Sequence, residues 1–403
     1  MVRTEIVEAH HLEEKIAKES AAYHTFKSLE HWQPLTKIIT PEELLLSSHY
    51  VYGLFDYLYQ KTRTLYEHLP LRRNGERPFI HPLNVAWGLQ KAGVQDGLTY
   101  CVALLHDFVE EIVDSYKDEK NVPEDNTGIA LLDKYEETVF SNLEGDLSRY
   151  CQQNGMEQSY GEKIVATVRL LTRHKRHFYY QSISQIFDCQ HEELREKAIA
   201  VKLADRSHNI LSIEKFSEEV RIYECFKNLF ILNNVKEYLL TKNWSEKSEL
   251  LPIEKLFKKC AKATYDAFLT TGHLSRAKGI APVTPLIQLA LKKYEFERSG
   301  FSCVTEMEED ETHPVRLFQG IIRKYDACLH DEYDTFLDKT EEERKYCRNF
   351  FYDFNLTPEQ VQAVIDYKDA YALKEVVACL LYQPKYVLQL FLCSALTKEG
   401  RIE

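Results

Sequence analysis

The sequence predicts an all-α fold on three observations. Glycine and proline are sparse, 14 and 12 in 403 residues. Strand-like alternation is scarce, and apolar residues recur at helical spacing along most of the chain. A hydrophobic fraction of 44% beside 28% charged residues is ordinary for a globular protein and sufficient for a sizeable core. The length suits two ordinary domains or one large one. No fixed-period repeat or low-complexity tract interrupts this pattern.

Taken in order, residues 1–45 read as a polar N-terminal helical extension. It includes a clear helix start at Thr40-Pro41-Glu42-Glu43, with proline in the first helical position and acids in the first turn. Residues 46–245 hold every chemical motif. Within them, TYCVALLHDFVEEIVDSYK (99–117) reads as one helix with a buried stripe of Val102, Leu105, Val109, Ile112 and Tyr116. The charged stretch 117–130 reads as a loop. AIAVKLADRSHNI (198–210) reads as an apolar helix whose polar stripe is Asp205, His208, Asn209 and Ser212. A soft boundary around 244–253 sets off residues 246–403 as a separate C-terminal helical lobe, with 302–314 expected as a mobile loop. EVVACLLYQPKYVLQLFLCSAL (375–396) is apolar, but Gln383, Pro384 and Lys385 interrupt it, so a buried helical pair is expected rather than a membrane span.

A net charge of −12 makes nucleic acid a poor partner, because an acidic chain repels phosphate backbones at long range. A small anion remains admissible where local cations or a metal reverse the sign. Ten cysteines without a CxxC pair read as free thiols in a reducing compartment. The first fifteen residues have no apolar core of a secretory signal. A cytoplasmic protein with no membrane contact is expected, and export by a dedicated secretion machine would leave the same sequence.

Three segments carry chemistry. The helix around 99–117 presents His106 beside Asp107, Glu110, Glu111 and Asp114, the acids spaced i, i+3, i+4 and i+7. Alone, such a stripe is more often a solvated face. RRNGERPFIHPLNVAWGL (72–89) turns at Asn74-Gly75 and then places His81 before Pro82, at a helix entrance. In 198–210, Asp205 follows Leu203 and Ala204, and a carboxylate in so apolar a place needs a partner, which a metal would supply. Two imidazoles and two carboxylates suit a first-row divalent ion, Mn²⁺ first and Fe²⁺ second, with positions left for water. Such an ion lowers the pKa of its water and polarises a phosphoryl oxygen. Glu110 and Glu111, one turn from Asp107, are placed to orient that water or handle its proton.

HPLNVA, ALLHDFVEE and VKLADRSHN, in that order, resemble the motifs of the HD superfamily of metal-dependent phosphohydrolases. More specifically they resemble the hydrolase domain of RelA/SpoT-type alarmone hydrolases, and LLTRHKRHFYYQSISQIF (170–187) resembles the segment that precedes that family's last motif. The resemblance covers roughly residues 46–245. It implies an HD-domain helical bundle with the C-terminal lobe appended, and a metal held by His81, His106, Asp107 and Asp205. It also implies catalytic acids at Glu110 and Glu111, and substrate contacts from Arg72 on the base, Arg73 on phosphate and Asn209 on the nucleoside. The implied reaction is attack of metal-activated water on phosphorus, releasing pyrophosphate from the 3′ position of guanosine tetra- or pentaphosphate. The chain departs from the family pattern at Glu111, where the family has Asp, and in the stretch from Gly75 to His81.

Two other function classes compete: a phosphatase of another purine or dinucleotide phosphate, and an HD-scaffold binding protein without turnover. The C-terminal lobe would serve a homo-oligomer or a protein partner. The basic run Arg169, Arg173, His174, Lys175, Arg176 and His177 divides into an exposed face at His174 and Arg176 and candidate phosphate contacts at Arg173 and Lys175. Tyr179 and Tyr180 are candidates for stacking on a base, with packing expected of at least one. His313-Pro314 and His330-Asp331 lack the apolar helical context of a second site, and His208 is expected to support the ligands by hydrogen bonding rather than to bind metal.

Overall fold

The computed structural model describes residues 33–242, 250–291 and 314–403. The fold is all-α. Among the described residues there is no strand, only an isolated antiparallel bridge between Leu396 and Ile402. The extension before residue 33 and the expected loop at 302–313 lie outside the described residues.

Contacts divide the chain into two compact units. The first comprises the described parts of Trp32–Asn209 and Glu246–Phe257. Its helices are α1 (Pro41–Leu44), α2 (Tyr52–Tyr66), α3 (Ile80–Ala92), α4 (Gly97–Leu105), α5 (Phe108–Lys120), α6 (Asn126–Gln153), α7 (Gln158–Leu171), α8 (Tyr179–Asp188) and α9 (Glu192–Ile210). The centre is α4, all nine of whose residues are buried, packed by α2, α3 and α7. Its start is pinned by Asp96, whose carboxylate accepts from the Leu98 amide and the Thr99 hydroxyl and pairs with Lys197 at 2.6 Å. Gly97 admits the close approach of α2's entrance: a Cβ there would lie 2.3 Å from Val51 Cγ2 and 2.5 Å from His49 Cε1.

The expected helix at 99–117 is two helices. The chain turns at His106 and Asp107, where α4 ends and α5 begins. Val102, Leu105 and Val109 are buried as expected, but Val113 takes the next core position, while Ile112 and Tyr116 are half-buried and Tyr116 stacks on Tyr135. The charged stretch 117–130 is mostly helical. α5 runs to a left-handed cap at Asn121, and Asp125 already caps α6 by accepting from Gly128, so only a short link remains. The polar stripe of α9 ends with the helix at Ile210, and Ser212 lies beyond it.

The second unit comprises the described parts of Ile210–Ser245 and Lys258–Glu403. It holds α10 (Glu218–Thr241), most of α11 (Pro252–Arg276), α12 (Thr284–Leu291), α13 (Ile321–Leu329), α14 (Tyr333–Phe350) and α15 (Pro358–Tyr382). α10 packs on α13 and α15, and α14 packs on the same two helices. The expected helical pair at 375–396 is one helix followed by irregular chain. α15 stops before Gln383-Pro384, as proline disfavours a helical residue ahead of it. The backbone beyond is satisfied by buried side chains of α10 instead of by its own helix. Asn233 bonds both ends of the Leu388 peptide group's surroundings, donating to the Leu388 and Phe391 carbonyls and accepting from the Leu388 amide. Asn234 accepts from the Cys393 amide, and the Lys236 ammonium donates to the Gln383 carbonyl at 3.2 Å as well as to the Leu380 carbonyl in the last turn of α15. No described helix is long and apolar enough to cross a membrane. The described cysteines are free thiols.

Candidate metal centre

The break at His106-Asp107 creates the centre. Neighbours in an unbroken helix point about 100° apart; the turn lets both side chains aim at one place. His81 comes from the first turn of α3, one residue inside the helix, and Asp205 from α9. His81 Nε2 lies 3.1 Å from His106 Nε2, 3.3 Å from Asp107 Oδ2 and 3.3 Å from Asp205 Oδ1. His106 Nε2 lies 3.1 Å from Asp107 Oδ2 and 3.9 Å from Asp205 Oδ1. Donor atoms about 2.1 Å from a common ion sit about 3.0–3.4 Å apart, so this spacing fits ligands around one cation. The buried cluster of His81, His106 and Asp205 could hold a metal ion, and Asp107, less buried, offers a fourth donor atom.

Hydrogen bonds around the cluster orient its nitrogens. His106 Nδ1 lies 2.8 Å from the Ala103 carbonyl, which only an N–H can satisfy, so Nε2 is the inward donor atom. His81 Nδ1 lies 2.8 Å from His208 Nδ1. Burial, reinforced by the charges of His81 and Arg72, pushes the His208 pKa down to about 2, so that ring is neutral and one of its nitrogens is free to accept a hydrogen bond. His81 Nε2 is the atom that faces His106, Asp107 and Asp205, while Nδ1 faces His208. Asp205 Oδ1 accepts from Asn209 Nδ2 at 2.6 Å, and Lys202 holds Oδ2 at 3.0 Å. Burial works against ionising either aspartate, but His106 beside Asp107, and Lys202 with His81 beside Asp205, hold both carboxyls well below their usual range.

Burial opposes a charged His106 as well, yet the Asp107 carboxylate outweighs it and, with Asp205, raises the metal-free pKa to about 9. A divalent ion must displace that proton. Metal affinity is therefore expected to rise about tenfold per pH unit up to about pH 9 and to flatten above it. Metal-free stability runs the other way. A raised histidine pKa contributes stability below its unfolded value, lost as pH rises through about 9. Metal titration by calorimetry at pH 7, 8 and 9 checks the first expectation, and a pH-independent affinity would refute it.

Glu110 and Glu111 sit on the first turn of α5. Burial, then the charge of Asp107, raises each carboxyl to about 7. Glu110 Oε1 also accepts from the Arg173 backbone amide at 2.5 Å. Two carboxyls that change charge near neutrality beside a metal cluster are suited to moving protons. Arg72 lies in the loop turned by Gly75 (φ +83°), and donates to Asn209 Oδ1 at 2.7 Å, so Arg72, Asn209 and Asp205 form one hydrogen-bonded line. Arg73 is exposed in that turn.

The basic run is mostly engaged elsewhere. Arg169 pairs with Glu137, His174 with Glu136 and Arg176 with Asp133, all acids of α6, and Lys175 pairs with Asp114 at 2.5 Å. Tyr180 is fully buried and Tyr179 nearly so, which makes both packing residues at the start of α8. His330 is buried 3.3 Å from Asp326, while His313 lies outside the described residues. Sequence reasoning missed Lys202 and Glu76. Lys202 had a signal, being three residues before Asp205 on one helix. Glu76, 3.9 Å from His208 Nε2, had none, since only the Gly75 turn brings it there. Compared with protein-family models, curated proteins and solved structures, the chain matches none.

Proposed function

We propose that the first unit is a metal-dependent nucleotide phosphohydrolase, with guanosine 3′,5′-bis(diphosphate) its first candidate substrate and the 3′-pyrophosphate its leaving product. The observation that carries the reading is the meeting of four metal-type donors with two carboxyls raised to about 7. His81, His106, Asp107 and Asp205 would hold the ion, Mn²⁺ or Fe²⁺ by donor type. When bound, it supplies a lowered water pKa and a polarised phosphoryl oxygen.

The chain's own residues do the rest. One of Glu110 and Glu111, ionised, accepts the proton of the attacking water. The other, protonated, gives a proton to the ribose 3′ oxygen as its bond to phosphorus breaks. Arg72 offers a flat guanidinium for a purine face and fixed donors for phosphate, and Asn209 offers both a donor and an acceptor. Arg73, exposed nearby, would meet the outer phosphate.

Incubation of the full chain with Mn²⁺ and a nucleotide panel, read by mass spectrometry, tests this. Pyrophosphate released from guanosine tetraphosphate is the expected result. Orthophosphate from another purine nucleotide would replace the alarmone reading with that of a phosphatase. Bound metal with no turnover of any nucleotide would leave a binding protein.

A further inference from the structure

We propose that Tyr66 is a substrate contact of the metal centre, its phenol hydroxyl donating a hydrogen bond to an oxygen of the phosphoryl group that occupies the site. This rests on the phosphohydrolase reading above and adds to it a residue that no sequence motif singles out.

Two tyrosines of α2 share a face and differ in what their hydroxyls meet. Tyr59 and Tyr66 stand seven residues apart, about two helical turns. Phe79 packs against both rings, edge-on to Tyr59 with centroids 5.1 Å apart and tilted to Tyr66 at 6.3 Å. Both tyrosines are buried. The Tyr59 hydroxyl donates to the Ile39 carbonyl at 2.7 Å. The Tyr66 hydroxyl is shut off from solvent and has no hydrogen-bond partner among the described residues. A buried hydroxyl without a partner costs stability, and a tyrosine in a core ordinarily finds one.

The surroundings of Tyr66 point to the partner. Tyr66 closes α2 and leads into the loop that carries Arg72, and the Phe79 ring beside it stands two residues before His81. Burial pushes the phenol well above its usual pKa, Asp107 and then Glu111 raise it further, and Arg72 opposes them. The hydroxyl is therefore protonated, and all three groups lie within its electrostatic reach. Ionised carboxylates repel a phosphoryl oxygen and have no hydrogen to offer it. Arg72 already donates to Asn209. A neutral phenol supplies a donor at this place without adding a like charge, and a phosphoryl oxygen supplies the lone pairs that the Tyr66 hydroxyl otherwise lacks.

The test compares the full chain with Tyr66→Phe and Tyr59→Phe, each melted with chelator, with Mn²⁺, and with Mn²⁺ and inorganic phosphate. Tyr59→Phe loses a bond that is made within the fold and is expected to melt below wild type in all three conditions. Tyr66→Phe removes a hydroxyl without a partner. It is expected to melt level with or above wild type with chelator and with Mn²⁺ alone, and to fall below once phosphate is present. Calorimetry on the Mn²⁺-loaded proteins is expected to show phosphate bound about ten- to hundredfold more weakly by Tyr66→Phe, the worth of one hydrogen bond to a charged group, with Mn²⁺ affinity unchanged. Tyr66→Phe that fails to fold, or that melts below wild type with chelator as Tyr59→Phe does, would show the hydroxyl bonded within the fold and overturn the proposal. A loss of Mn²⁺ affinity in Tyr66→Phe would also overturn it, since the partner would then not be a phosphoryl oxygen. Wild type that binds Mn²⁺ but no phosphate, or Tyr66→Phe that matches wild type for both, would overturn this inference alone. Wild type that binds no Mn²⁺ would overturn the metal-centre reading and this one with it.

Discussion

Purified Asp107→Ala is expected to carry no stoichiometric divalent metal and to lose turnover by about 10³-fold or more, the several kcal/mol that a bound ion contributes to stabilising transition-state charge. Asp107 is the informative candidate because it is the least buried of the four, with 30% of its side chain exposed. Its removal takes away the carboxylate closest to His106 with little effect on the core. Asp205→Ala would confound the measurement. Asp205 is nearly fully buried beside Lys202, and removing one member of a buried pair costs about 3–5 kcal/mol in stability. His208→Phe provides the graded comparison. It removes the hydrogen-bond partner of His81 Nδ1 without removing any of the four candidate ligands, and is expected to lower metal affinity about 10–100-fold. Elemental analysis and turnover on the same preparations check all of this. Full metal occupancy in Asp107→Ala would refute the ligand assignment.

Glu110→Gln and Glu111→Gln are expected to retain the metal and lose about 10²–10⁴-fold in turnover, the usual worth of a positioned proton donor or acceptor. Both carboxyls are raised to about 7 in the metal-free protein, and a bound cation lowers them from there, so the wild-type rate should follow a bell whose two limbs belong to the pair rather than to one residue. Each variant should lose one limb. Stability should move the opposite way. A carboxyl raised from its unfolded value to about 7 makes the folded state less stable as pH climbs between those two values. The neutral amide removes that penalty, so each variant should melt above wild type at pH 8 and level with it at pH 4. Wild-type rates in both variants would end the proton-handling role. Lower melting at pH 8 would show that the carboxyls are structural partners instead.

The four candidate ligands that meet at the centre are visible in the sequence, because metal-type donors in an apolar context stand out against periodic helices. His81 before Pro82, His106 beside Asp107 and Asp205 after Leu203-Ala204 needed no coordinates to be singled out, and neither did the all-α class. The break between α4 and α5 was not legible. The apolar spacing of 99–117 continues across it, and the turn is selected by the shared convergence of His106 and Asp107 with His81 and Asp205, groups distant in the chain.

The same holds wherever the partner is remote. Residues 375–396 read as two helices because apolar runs predict burial but not backbone form. The second half is irregular, and Asn233, Asn234 and Lys236, some 150 residues earlier, bond its Leu388, Cys393 and Gln383 peptide groups. The run at 169–177 reads as available positive charge until α6 brings Asp133, Glu136 and Glu137 against it. Residue type singled out the metal-type side chains, and helical period determined that helices would carry them. Distances, the His106 tautomer and the raised carboxyls of Glu110 and Glu111 were decided by tertiary structure alone, since each depends on burial and on charges that local sequence does not contain.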